Sequence, residues 1–357
     1  MIRSSWLVSE PFKFTPDRLP CPRVTIGELP DDSLLEIFGF YLDHQRDHQF
    51  EDTWPGPGHL LVHVCRRWRY LVYASPRRLR LRLLCTDRRP VKEALNIWPK
   101  LPIAIHALDF RPMMQALVTN VVAALEHHDR VCEIDLGAYE TSLLEILSVM
   151  DKPFPSLVNL KVMSIVRNES MIPESFLGGS APLLQSLEFY NIPLTCPEIK
   201  KLLLLAPNLV FICLILIPRS GPGFTSPEVM VNSLSMLTRL KSLRLSFSLQ
   251  TPRPQLQQAL ANGNPPPFVR VVLPALIDFD FRCDKEYLDD FVSRIDTPLL
   301  VAVTINFLDR SIPITPPLRD FISRTEKFGP CYKINTNSSR DSIKIYFFRR
   351  YRESLWS

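Results

Sequence analysis

A short apolar rhythm recurs through the middle of this chain, and it constrains the fold more than any other feature. Each copy opens on a proline or small turn-forming residue, continues with a leucine, and ends in two apolar positions separated by one residue. Pro155, Leu157, Leu160 and Val162 make one copy, and Pro182, Leu184, Leu187 and Phe189 the next. Then come Pro207, Leu209, Ile212 and Leu214; Thr238, Leu240, Leu243 and Leu245; Pro274, Leu276, Phe279 and Phe281; and Pro298, Leu300, Val303 and Ile305. Asp129, Val131, Ile134 and Leu136 form an earlier copy, and residues 98–108 hold a more degraded one. Successive starts from Asp129 onward lie 24 to 36 residues apart.

The last two apolar positions of each copy alternate across one residue, as in a short strand with one buried face. Between copies lie helical patterns: residues 141–150 with Leu143, Leu144, Ile146 and Leu147, residues 197–205, 226–237 and 287–295. Strand, turn, helix and strand in constant order predict right-handed coils with a parallel sheet. No single coil covers its own apolar face, so neighbours must stack. The rhythm resembles that of leucine-rich repeats. The spacing is irregular and the usual corner Asn is missing from several copies, so the resemblance is to a divergent array. The run Leu202–Ile217 is too short to span a bilayer and is broken at Pro207, so it reads as a helix end, a turn and a buried strand. An α/β domain with unrelated Leu-rich strands is the plainer alternative. Two insertions break the rhythm, at Gln250–Val271 and Arg219–Gly223, and are candidate target-contact loops.

The N-terminal region follows different rules. Pro30 favours a first helical turn, and Asp31, Asp32 and Ser33 suit a helix N-terminus. Leu34, Leu35, Phe38 and Leu42 follow at helical spacing. A second helix is expected from His59 to about Tyr73, with Leu60, Val64, Trp68 and Leu71 on one face. Trp54–Gly58 separates the two as a loop.

The order Leu29-Pro30, Leu34-Leu35, Ile37-Phe38, then Val64-Cys65-Arg66-Arg67-Trp68-Arg69-Tyr70-Leu71, resembles an F-box. The inter-helix stretch from Tyr41 to His59 is longer than usual, in a layout similar to the F-box-like proteins of mushroom-forming fungi. The resemblance implies an α/β chain with a small N-terminal helical F-box module followed by an irregular leucine-rich-repeat solenoid of parallel strands and helices. The expected divisions are an extension over 1–23, the F-box-like module over 24–75, the solenoid over 76–310 and a closing segment over 311–357. It further implies a substrate receptor of a Skp–cullin–F-box ubiquitin ligase, which is not itself an enzyme. Its partners would be a Skp-type adaptor, a cullin through that adaptor, and an unidentified target protein. Adaptor contact falls to Leu29, Pro30, Leu34, Leu35, Ile37 and Phe38, supported by Val64, Trp68 and Leu71.

Other chemistry finds little footing. The eight cysteines are scattered with no Cys-x-x-Cys pair, and neither a phosphate-binding Gly-rich loop nor a His-Glu-x-x-His is present. No cofactor or catalytic residue is expected, and the His44/His48 and His59/His63 pairs sit on polar surfaces rather than in a metal constellation. Asp289 and Asp290 read as a solvated helix face. The opening Met1–Trp6 lacks a signal-peptide core, giving an expectation of cytoplasm or nucleus with no membrane partner. Arg66, Arg67, Arg69, Arg77, Arg78, Arg80, Arg82, Arg88 and Arg89, interleaved with Trp68, Tyr70 and Tyr73, make nucleic-acid binding the lesser reading. Leu79, Leu81 and Leu83 alternate with Arg78, Arg80 and Arg82 as a strand with one wet face would. A repeat scaffold without a ligase is the nearer rival.

Overall fold

The computed structural model describes residues 25–47, 57–75, 78–79, 81–85, 91–92, 95, 101–108, 115–164, 172–192, 194, 196–215, 226–246, 270–283, 285–307, 315–325, 335–339 and 342–348. The chain divides into two compact units, Met1–Leu81 and Arg82–Ser357.

The first unit is helical. A 3-10 turn over Ile26–Glu28 leads through Leu29 and Pro30 into α1 (Asp31–Asp47). α2 (Pro57–Val64) and α3 (Arg66–Ala74) replace the single helix expected from His59 to Tyr73. The break falls at Cys65, whose backbone is extended (φ −157°, ψ 171°) and whose Sγ accepts from the Trp68 N–H at 3.5 Å. The Arg69 Nε donates to the Val62 carbonyl at 2.9 Å, satisfying one of the acceptors that the end of α2 leaves open. The helical phase therefore restarts at Cys65, and Leu60 and Val64 do not share a face with Trp68 and Leu71.

The second unit is built on an 11-stranded sheet in the order β1-β2-β3-β4-β5-β6-β7-β9-β11-β13-β12. Its nine parallel strands are β1 (Leu83–Cys85), β2 (Ile103–Leu108), β3 (Val131–Ala138), β4 (Asn159–Ser164), β5 (Ser186–Tyr190), β6 (Phe211–Ile215), β7 (Ser242–Ser246), β9 (Asp278–Cys283) and β11 (Ala302–Phe307). A short parallel pair, β8 (Val271–Val272) with β10 (Ile295–Asp296), stands apart from the sheet. β13 (Ser342–Phe348) lies antiparallel to β11, and β12 (Asn335–Ser339) antiparallel to β13, which ends the parallel run. The helices are α4 (Gln115–Leu125), α5 (Glu140–Ser148), α6 (Cys196–Leu205), α7 (Pro227–Leu234), α8 (Lys285–Ser293) and α9 (Pro316–Arg324). α4 packs on α5, and α6 through α9 pack each on the next. Strand pairing begins at Leu83, so Leu79 lies in a turn rather than in the strand its alternation with arginines suggested.

The repeated residues occupy equivalent places. Ile134, Leu160, Leu187, Ile212, Leu243, Phe279 and Val303 form one cross-strand row, and Leu136, Val162, Phe189, Leu214, Leu245, Phe281 and Ile305 the next. All are buried. Each such side chain is worth ~1.5–3 kcal/mol over exposure.

The turn before the strand also repeats. The N–H of Leu157, Leu184, Leu209, Leu240, Leu276 and Leu300 donates to the carbonyl three residues earlier, at Phe154, Ala181, Ala206, Leu237, Leu273 and Thr297. The structural unit thus starts one residue ahead of its proline or threonine. Successive turns are tied by a backbone chain: Val158 to Cys132, Gln185 to Val158, Val210 to Gln185, Lys241 to Val210, Ile277 to Lys241 and Val301 to Ile277, all at 2.8–2.9 Å. Side chains in the third place of the turn reach back as well. The Ser156 Oγ donates to the Asp129 carbonyl at 2.7 Å, and the Asn208 Nδ2 to the Pro182 carbonyl at 2.8 Å.

Candidate functional site

The candidate surfaces lie one on each unit. On the helical unit the deciding feature is which flank of α1 is buried. Leu34, Leu35, Phe38 and Leu42 are buried, and the Phe38 ring meets Trp68 with centroids 4.6 Å apart. Leu71 and Val72 of α3 are buried as well. Leu34, Leu35, Phe38 and Leu71, expected to touch an adaptor, are therefore core residues and not surface. Their i, i+4 and i, i+8 spacing turns one flank of α1 inward. Leu29 and Trp68 are half-buried, and Pro30 is exposed.

What remains outside is a different apolar set. Ile37 is 43% and Phe40 77% exposed, three residues apart on one flank of α1. On α2, Leu60 is 61% and Val64 59% exposed, four residues apart. Of the nine expected contact residues, Pro30, Ile37 and Val64 are exposed, and Phe40 and Leu60, not among the nine, are exposed as well. Phe40 stands outside the Leu34–Phe38–Leu42 stripe, on the flank it shares with Ile37.

The turn before α1 is held by one side chain. The Arg67 guanidinium donates to Asp31 Oδ1 through Nε (3.0 Å) and Nη2 (2.5 Å), to the Gly27 carbonyl through Nη1 (2.6 Å), and to the Leu29 carbonyl through Nη2 (2.6 Å). The planar fork of arginine serves these acceptors together, which a lysine cannot do. Arg78 Nη1 donates to Asp32 Oδ1 at 2.6 Å. The two acids that open α1 are thus neutralised by arginines that look like a free basic run in the sequence. Nothing in the sequence joins Arg67 to Asp31, because they are 36 positions apart.

On the sheet unit, one face carries the buried rows described above. The side chains between them face the other way and are mostly part-exposed. Their middle row runs His106, Asp135, Lys161, Glu188, Cys213, Arg244, Asp280, Thr304. The signs largely alternate, and neighbours pair: Lys161 with Asp135 at 3.1 Å and Arg244 with Asp280 at 3.2 Å. Cross-strand pairs of this kind favour one strand register. The Tyr190 hydroxyl donates to Glu188 at 2.7 Å and accepts from the Cys213 thiol at 3.6 Å. Burial first, then the bond to Glu188, holds the Tyr190 phenol well above its ordinary range. Burial also raises the Cys213 thiol, against the opposing effects of Tyr190 and Arg244, so it is a packed thiol rather than a thiolate nucleophile.

The next row towards the strand ends is more apolar: Leu108, Gly137, Met163, Tyr190, Ile215 and Ser246. A Cβ at Gly137 would lie 2.9 Å from Leu108 Cδ2 and 3.2 Å from Met163 Cε, so the glycine lets these two side chains close over it. This face thus carries a few apolar side chains beside compensated charge. The Gln250–Val271 insertion lies outside the described residues except at its last two, and Arg219–Gly223 lies wholly outside them.

Among the described residues no group of three His, Cys, Asp or Glu is placed to share a metal ion, and no helix is long and apolar enough to cross a membrane. No protein-family model matches the chain, and no curated protein matches it.

Proposed function

We propose that this protein is a substrate receptor of a Skp–cullin–F-box type ubiquitin ligase. In this reading the helical unit is an F-box-like module that docks on a Skp-type adaptor, and through it a cullin. The sheet unit is a divergent leucine-rich-repeat solenoid that holds a target protein. The mechanism is positioning. A conjugating enzyme carried elsewhere in the complex would reach a lysine of the held target, and this chain would supply no catalytic residue.

One observation carries the reading. A small helical unit leaves Pro30, Ile37, Phe40, Leu60 and Val64 exposed while Arg67 fixes the Leu29–Pro30 turn that leads into α1. Apolar side chains left out on such a small unit mark an interaction site. Support for the solenoid half comes from six equivalent turns and strands that add to the sheet in sequence order.

The test is co-expression with a Skp-type adaptor followed by affinity purification. Wild type is expected to co-purify, and Ile37→Asp with Phe40→Asp is expected to abolish the complex while circular dichroism and melting stay unchanged. Leu34→Ala with Phe38→Ala is the wrong probe, since each buried truncation costs ~2–5 kcal/mol of the unit itself. Failure of folded wild type to bind would reject the ligase reading and leave a repeat scaffold.

A further inference from the structure

The arginines around α3 fall into two sets. Arg67 is committed to Asp31, Gly27 and Leu29, and Arg78 to Asp32. Arg66 and Arg69 are not used in this way. With Tyr70, Tyr73 and Ala74 they line an open groove of about 560 Å³ along the outside of α3. The spacing of three, four and seven residues makes a single helical stripe. Among the described residues no carboxylate lines this groove. Arg66 is exposed and forms no hydrogen bond or ion pair among the described residues. Arg69 uses its Nε on Val62. Tyr70 is 72% exposed. Burial holds the Tyr73 phenol above its ordinary range, against the pull of Arg69, so the Tyr73 ring lies uncharged beside that cation.

We propose that this groove docks an acidic peptide segment of a partner protein, with carboxylates on Arg66 and Arg69 and apolar side chains on Tyr70 and Tyr73. Guanidinium groups pair with carboxylates through parallel N–H···O bonds. Positions three apart on a helix rise by ~4.5 Å, close to the spacing of carboxylates three or four apart on a bound helix. Tyrosine rings supply contact area at little entropic cost. The groove is open along its length, which suits a chain better than an enclosed small molecule. Nucleic acid is the weaker occupant, because phosphate-backbone binding relies on many cations and two of the nearby arginines are already neutralised. The site shares no residue with the apolar stripes assigned to the adaptor, so it stands or falls separately.

The experiment is fluorescence anisotropy of the full chain with a labelled peptide carrying glutamates at every third or fourth position and leucines between. Controls are the same peptide with glutamine for glutamate, and a single-stranded DNA of equal charge. Wild type is expected to bind the acidic peptide, with affinity falling as salt rises. Arg66→Glu and Tyr70→Ala, both at exposed positions, are each expected to weaken it by about tenfold or more while melting is unchanged. Equal binding of the glutamine peptide, equal affinity in both variants, absence of binding, or tighter binding of the DNA would each overturn the proposal.

Discussion

The two units solve the problem of apolar surface in opposite ways. In the sheet unit each strand lays its apolar side chains against those of the next, and the buried rows from Ile134 to Val303 and from Leu136 to Ile305 are sealed almost completely. Among the described residues, six of the fifteen exposed large apolar side chains, Ile26, Ile37, Phe40, Leu60, Val64 and Tyr70, fall in the much shorter helical unit. The thiols differ likewise. Cys65 is exposed and caps a helix, whereas Cys85 and Cys213 are buried, with burial pushing Cys85 up to about 12. Strand-by-strand packing hides apolar surface inside the sheet unit, whereas the helical unit leaves part of its own exposed.

The comparison breaks first where stacking is densest. Phe291 of α8 is fully buried and lies 5.7 Å from both Phe279 and Phe281, centroid to centroid, with Tyr287 at 6.4 Å. Phe291→Ala is expected to cost ~3–5 kcal/mol, read by urea denaturation as a lower midpoint. Adaptor binding at low temperature should persist, because the helical unit has its own core. Loss of adaptor binding with the sheet unit still folded would contradict the separation of roles.

A smaller effect is expected at the clamp. Arg67→Ala leaves the Gly27 and Leu29 carbonyls and Asp31 without their shared donor. It should cost ~1–2 kcal/mol, because Arg67 and Asp31 are partly solvated. Adaptor affinity should fall by more than stability, because the Leu29–Pro30 turn loses its position. Arg67→Lys should rescue little, since a single ammonium cannot span these acceptors. Full rescue by lysine, measured by titration calorimetry, would reduce the clamp to a simple charge effect.

The sheet was far more legible in the sequence than the docking surface. Alternation at Leu160/Val162 or Leu243/Leu245 is a local signal, and repetition fixed which strands would be equivalent. Helices expected over 197–205 and 226–237 appear as Cys196–Leu205 and Pro227–Leu234. α4 was not anticipated, because no copy of the rhythm flags Gln115–Leu125. Leu34, Phe38 and Leu42 recur every four residues, and it is this stripe, not the equally apolar Ile37, that α1 turns inward. The extended backbone at Cys65 rotated Leu60 and Val64 outward, and no periodicity carried through the Val64–Arg66 break predicts that. The Arg67 clamp depends on long-range closure, which a local pattern does not encode.

Hydrogen–deuterium exchange of the full chain, free and saturated with a Skp-type adaptor, tests the central claim most directly. The account predicts slowed exchange over Pro30–Phe40 and Leu60–Val64, with Leu160–Val162 and Leu187–Phe189 unchanged. Protection confined to the sheet unit, or none in a saturated complex, would contradict it.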